Sequence, residues 1–215
     1  MKILITIARQ LGSGGSRIGQ IVAERLGYKY FDREILSKAA DALKDGEDVL
    51  AGREEKLSGF LENLIRPFIV GSPEAPYLPP PIHPVYDRDL FETESAIIRR
   101  IAQKYDAVIV GRAGGYVLRD QPGLVSVFIH APMEFRVQRI MKLYNIKDAA
   151  SAGELALKSD HDRAKYVRTM TGEDRTDLRN YHICLDSERT GFDGAEEIIR
   201  ILADAVKKKN SGIQS

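Results

Sequence analysis

"ITIARQLGSGGSRIGQ", residues 5–20, decides the fold. Its opening continues a β-branched, apolar run, "KILITIA" at residues 2–8, with the composition of a buried strand. After the glycines, "SRIGQIVAERLG" sets Ile18, Ile21, Val22 and Leu26 at helical spacing. Strand, glycine loop and helix follow one another without a break. Small residues at such a junction let successive backbone N–H groups surround an anion, while the helix directs the positive end of its dipole at it. Gly12, Ser13, Gly14, Gly15 and Ser16 meet that need. The full G-x-x-x-x-G-K-[ST] pattern adds a lysine for the phosphate and a hydroxyl for magnesium, but no lysine lies between Lys2 and Lys29. A tight turn that merely needs glycine, or a dinucleotide site, would draw on the same residues.

Outward from this stretch the chain alternates strands and helices. "YKYFDREIL" predicts a second strand through Tyr28 to Phe31 and a helix from Glu34 to Leu43, capped or anchored near Asp32. An amphipathic pattern runs from Leu50 to about Ile69, and residues 66–84 then hold seven of the nine prolines. Proline fixes φ and removes a backbone donor, so this stretch is expected to be a loop: a substrate cover, a contact between copies in a homo-oligomer, or a poorly ordered insertion near 66–88. "DRDLFETESAIIRRIAQKY" is helical in pattern, "DAVIVGR" is a buried strand ending at Gly111 and Arg112, and "LVSVFIHA" is a further strand. A helix opens with Pro132 in its first turn, another spans Ala152 to about Tyr166, and "YHICLDS" and "GAEEIIRILADAVKKK" supply the last strand and helix. The repeated β-then-α order predicts an α/β fold in three layers, a mainly parallel sheet covered by helices on both faces.

Composition narrows the function classes. The 215 residues suit one domain, 1–215, and 43% apolar with 29% charged residues is ordinary for a soluble globular chain. A net charge of +1 provides no global basic field, so no nucleic acid is expected as partner, although arginines can still gather around a small anion. No apolar run reaches the length of a membrane helix, so no membrane partner is expected. The single cysteine, Cys184, cannot form an internal disulfide, and "MKILITIARQ" lacks a secretory cleavage pattern; the expected location is the cytoplasm. His83, His130, His161 and His182 are scattered, without metal-ligand spacing, and no G-x-S-x-G elbow supports hydrolase chemistry.

Six pieces in shared order, "ITIARQLGSGGSRIG", "YFDREIL", "VIVGRAGGYVL", "FIHAPMEFRVQRI", "DRAKYVRTMTG" and "NYHICLDS", resemble the cytidylate kinase-like family, relatives of bacterial cytidylate kinase among the P-loop nucleoside monophosphate kinases. The resemblance implies a P-loop kinase fold with a helical lid near 150–178, Mg2+ with ATP, and small-molecule nucleotide substrates, cytidylate being the family-derived acceptor. Laid on ordinary cytidylate kinases without gaps, Arg9 stands at the first motif glycine, Gly14 at the last, and Gly15 where the lysine belongs, while Ser16 keeps the next small position. Ser16, or a water, would then position the magnesium.

Another cation must serve the phosphates. Arg9 leaves the strand end and Arg17 lies in the first helical turn; either guanidinium could reach them, or Arg17 is a surface residue and Arg9 pairs with an acid. "GRAGG" preserves Arg112, an acceptor-phosphate contact or a structural ion pair, but has Ala113 where ordinary members carry an aspartate. Asp32, with Arg33 beside it, matches an acid near the acceptor and is equally a good helix cap. The resemblance makes Arg163 and Arg168 lid arginines that stabilise charge during transfer; a solvated charged helix face would show the same spacing. Relatives often carry a tryptophan soon after "TG", and this chain has none. Three further readings stay open: a nucleotide-binding or regulatory protein without efficient turnover, a kinase for another small metabolite, and a dehydrogenase-like dinucleotide binder using Asp32.

Overall fold

The computed structural model describes residues 1–44 and 88–212. The proline-rich stretch and the pattern from Leu50 to Ile69 lie outside the described residues. β1 (Leu4–Arg9) leads through the glycine loop into α1 (Gly15–Leu26), then β2 (Lys29–Phe31) and α2 (Arg33–Lys44). α3 (Arg88–Lys104), β3 (Ala107–Val110), the short α4 (Gly114–Val117), β4 (Leu124–His130) and α5 (Met133–Tyr144) follow. α6 (Ala149–Thr171), a single 3-10 turn (Leu178–Asn180), β5 (Ile183–Asp186) and α7 (Ser187–Gly212) complete the described chain, with α7 broken by non-helical Gly191.

The strands form one sheet in the order β2-β3-β1-β4-β5, and every pairing is parallel. β1 is central, with Leu4 opposite Ala107 on one side and Leu124 on the other. Its two faces are both buried. Ile3, Ile5 and Ile7 pack on Ile18 and Val22 of α1 and Ile199 of α7, and Leu4 packs with Leu36 of α2 and Ile98 of α3. Continuous apolar character in "ILITI" follows from this double burial, and each such fully buried side chain contributes about 1.5–3 kcal/mol. Because all strands point the same way, their carboxyl ends share one edge, where open α/β sheets bind ligands. The architecture is the three-layer α/β fold expected.

Element boundaries moved where caps decide them. α6 begins earlier and ends later than the apolar pattern indicates, because Asp148 accepts from the Ser151 amide at 2.7 Å and Gly172, at φ 76°, stops it. Pro132 stands one residue before its helix, as the cap, rather than in the first turn. The second strand starts at Lys29 rather than Tyr28, since Gly27 and Tyr28 donate back to the end of α1. α4 escaped the sequence reading: four residues carry too short a pattern to register a period.

Candidate functional site

The glycine loop is trussed by its carbonyls. Gly12 and Gly14 adopt φ of 84° and 80°, and a Cβ on Gly12 would lie 2.7 Å from the Arg136 carbonyl oxygen. Arg136 Nε donates to the Leu11 carbonyl at 2.7 Å, Arg139 Nε to that of Gly12 at 3.0 Å, and Ser187 Oγ to that of Ser13 at 2.6 Å. Asp160 accepts from the Leu11 amide at 3.0 Å and pairs with Arg136 at 2.5 Å. With the carbonyls held away, α1 begins at Gly15 behind its N-cap Gly14 with no side-chain cap among the described residues, so its first-turn amides are open to an anion. Ser13 does not join them. It is fully buried, and both its amide and its hydroxyl donate to the Gln10 carbonyl, at 3.4 and 2.9 Å. The open cradle therefore runs over Gly14, Gly15 and Ser16.

Arg9 extends from this cradle to the strand edge. Period-two alternation after Ile5 and Ile7 directs its root toward α1, where a Cβ on Gly15 would stand 2.5 Å from Arg9 Cβ and 3.0 Å from its Cγ. At the far end, a Cβ on Gly111 would collide with the guanidinium. Two glycines thus form the channel in which Arg9 lies. Arg163 Nη1 of α6 donates to the Arg9 carbonyl at 2.9 Å, and Arg175 Nη2 donates to the same oxygen. Burial, with Arg9 and Arg175 nearby, pushes the Arg163 guanidinium down to about 9.

Beyond Arg9 opens a cleft of about 480 Å³ at the carboxyl edge, between the sheet and α6. Arg9, Arg33, Arg112, Arg163 and Arg175 all line it. Thr6 and Ser126, register partners on β1 and β4, form a polar patch of its floor, and α4 approaches closely enough that a Cβ on Gly115 would sit 3.0 Å from Ser126 Oγ. Gly111, Arg112 and Ala113 are consecutively left-handed, at φ 88°, 52° and 50°. That costs the two non-glycine residues about 1–2 kcal/mol each. The turn carries Arg112 to Glu94 of α3, 2.6 Å away, with side chains 10% and 1% exposed, and its guanidinium lies 5.4 Å from the Tyr166 ring centroid. Burial raises the Tyr166 hydroxyl to about 12.

Other residues singled out in the sequence lie elsewhere. Asp32 is buried and caps α2, accepting from the Glu34 and Ile35 amides at 3.0 and 3.2 Å. Burial raises its pKa, against the pull of those amides and of Arg9. Arg17 and Arg168 are exposed and lie outside the cleft lining. Ser16 is half-buried in the first turn of α1, and among the described residues no cluster of His, Cys, Asp or Glu could hold a metal ion. Uncapped amides and a neighbouring hydroxyl are the donor set of a phosphate site with magnesium on its oxygens, so the residues present fit Mg-ATP.

Sequence reasoning missed Arg175, Asp160 and the pair Arg139 and Phe192. The Phe192 ring covers Gly14, so that a Cβ there would collide with it, and Arg139 lies 4.6 Å from the ring centroid. Asp160 sits one helical turn before Arg163, a spacing that reads as a surface pair. Arg175 follows "TG" after the helix has ended, in a stretch without periodicity; its guanidinium lies 5.1 Å from the Phe128 ring. The lid expected near 150–178 spans it, but Arg163 and Arg168 are the arginines singled out there.

The cytidylate kinase-like family model matches residues 4–189. The curated cytidylate kinase of Methanoregula boonei is 29% identical over 126 residues, 58% of this chain and 66% of that protein. The chain thus spans just under two thirds of that relative's length. The cytidylate kinase of Pyrococcus horikoshii is 20% identical over 94% of this chain and 89% of its own. Among solved structures, an uncharacterized protein from Eubacterium ventriosum superposes with a TM-score of 0.70 at 23% identity, covering 94% of this chain and 99% of that one. A shikimate kinase from Bacteroides thetaiotaomicron gives 0.50 at 12% identity, covering 94% and 98%. Both structures show likeness of fold.

Proposed function

This chain belongs to the cytidylate kinase-like family, and from that premise we propose that it transfers a phosphoryl group from Mg-ATP to a small phosphorylated acceptor, a nucleoside monophosphate by family. The observation that carries the reading is the course of Arg9, whose root lies against the uncapped start of α1 and whose guanidinium lies at Gly111 in the cleft. One side chain thereby joins a donor cradle to an acceptor pocket.

The amides of Gly14, Gly15 and Ser16 bind the donor phosphates, and the dipole of α1 favours their charge. Ser16 would hold the magnesium, which when bound neutralises charge on the donor oxygens. Arg9 and Arg163 stabilise the equatorial oxygens of the group in transit as the acceptor oxygen bonds to phosphorus and the bond to ADP breaks. Arg33 lies on the acceptor side of the cleft. Arg112 already neutralises Glu94, so its part is to shape the wall. Ala113 brings no carboxylate to the acceptor; at the floor Ser126 Oγ already donates to the Asn180 carbonyl at 3.1 Å, and Thr6 Oγ1 is buried. Cytidylate is accordingly the first acceptor to try, with other nucleotides and small phosphorylated metabolites beside it.

Gly15 in place of lysine favours one alternative, a nucleotide-binding protein without turnover. Incubation with Mg-ATP and a panel of nucleoside monophosphates, nucleosides and small metabolites, following ADP release and product mass, separates the two. A product heavier by one phosphoryl group supports the kinase; ATP binding without product supports the alternative.

A further inference from the structure

We infer that the guanidiniums of Arg9, Arg163 and Arg175 form one seat for a multiply charged phosphoryl group, and that Arg175 is a binding residue of it. The inference rests on the phosphoryl-transfer reading of this site. Arg163 comes from α6 and Arg175 from the segment behind it, yet both donate to the single carbonyl of Arg9. A guanidinium has five N–H donors in a rigid fork, so one bond to a carbonyl leaves donors available. All three side chains line the same cleft.

Among the described residues, seven arginines line the cleft against two carboxylates, Asp162 and Glu173, and Glu173 pairs with Arg119 at 3.6 Å. Among the described residues Asp160 is the carboxylate that pairs with Arg163, at 3.9 Å, but it is already shared with Arg136 at 2.5 Å and with the Leu11 amide. Asp32 faces Arg9 from the cap of α2, where two amides occupy it. Like charges gathered in a partly desolvated place cost free energy unless an anion joins them. Arg175 is 6% exposed and held rigidly: its guanidinium lies over Phe128, its carbonyl accepts from the Tyr181 hydroxyl at 2.8 Å, and the Phe128 and Tyr181 rings meet at 5.1 Å. Such a shelf presents the fork without further loss of side-chain freedom on binding. A ligand with at least two negative charges and several acceptor oxygens suits three convergent forks.

Calorimetric titration of the full chain with inorganic pyrophosphate, without nucleotide and at constant ionic strength, tests the seat. Arg175→Met is expected to bind roughly 10- to 100-fold more weakly than wild type, the loss of one charge-assisted hydrogen-bonding group. Arg175→Lys, which keeps the charge but loses the fork, is expected to fall between them. Pyrophosphate binding by Arg175→Met at the wild-type level overturns the inference. Should circular dichroism show Arg175→Met unfolded, Arg175→Gln against Arg175→Lys takes its place, and equal affinities for those two overturn it as well. Failure of the kinase reading looks different. Pyrophosphate bound through Arg175 with no acceptor phosphorylated removes the kinase and keeps the seat; turnover indifferent to Arg175→Met keeps the kinase and removes it.

Discussion

Substituting the residues at 9 and 15 together tests whether the missing lysine and the extra arginine are one structural decision. A Cβ on Gly15 would stand 2.5 Å from Arg9 Cβ, 3.0 Å from its Cγ and 3.4 Å from Ile129 Cβ. Carbon atoms pack best at about 3.5–4.0 Å, so Gly15→Lys must push the Arg9 root away by about 1 Å. Overpacking on this scale costs about 1–3 kcal/mol. The backbone of Gly15 is helical and adds no strain of its own. Arg9→Gly removes the obstructing atoms but places glycine at a strand end, at about 0.5–1 kcal/mol, and removes the cation. If the two side chains exclude each other, Arg9→Gly/Gly15→Lys avoids the overpacking. Its destabilisation should then equal that of Arg9→Gly alone, leaving a coupling energy of about 1–3 kcal/mol. Urea unfolding of the four proteins measures it. Additivity within about 0.5 kcal/mol would refute the mutual exclusion. Activity supplies the second readout: Arg9→Gly should lose turnover, and the double variant should regain part of it.

Three further outcomes follow from the geometry. Glu94→Gln leaves Arg112 buried without its counter-charge and should destabilise the chain by about 3–5 kcal/mol; a urea midpoint close to wild type would mean that the pair at 2.6 Å contributes little. Arg17→Ala, at an exposed position outside the cleft, should change stability by less than about 0.5 kcal/mol and leave kcat/KM near wild type; a large fall in kcat/KM would restore Arg17 as the substitute cation. Asp177 is held down to about 2, first by its hydrogen bond to the Arg179 side chain and then by the Arg179 amide. A carboxylate depressed in the folded state stabilises above its ordinary value, about 3.9, and loses that contribution as pH falls through the depressed one. The stability gap between wild type and Asp177→Asn should therefore be present at neutral pH and close between about pH 4 and 2; a gap independent of pH would count against the ionic contact.

The layers of the fold were legible because hydrophobic period and burial coincide: "KILITIA" and "AVIVG" read as predominantly apolar runs since helices cover both faces of β1 and β3. The glycine loop was legible for a similar reason, since left-handed φ at Gly12 and Gly14 demands the residue type seen. Side-chain direction was harder. Arg9 and Arg17 were equal candidates in one dimension, and the choice depends on Gly111, remote in sequence, giving the Arg9 guanidinium its place. Arg112 similarly had two readings, phosphate contact or ion pair, and α3, remote in sequence, brings Glu94 to it. Arg175 is the extreme case. Its partners, Phe128 and the Arg9 carbonyl, come from two strands, so that the expected lid contains it while no local period in "GEDRTD" marks it as buried.

On the proposed reading the cation moves from the first helical turn to the end of β1, which changes what it can do. A lysine at position 15 would start on the helix and reach the donor phosphates as a point charge, as in the ordinary loop. Arg9 starts on the central strand, passes under the helix and ends beside Gly111, within the cleft. Its carbonyl meanwhile fixes Arg163 and Arg175. One residue thus contributes charge through its side chain and positions two further charges through its backbone, so substituting Arg9 and substituting its partners probe different things. Arg9→Lys keeps the carbonyl and a positive charge but loses the planar fork, whereas Arg163→Met and Arg175→Met leave Arg9 in its channel. If transfer depends on fork geometry rather than on charge alone, Arg9→Lys should behave more like Arg9→Gly than like wild type in turnover, with stability close to wild type because the root that excludes a Cβ at 15 is retained.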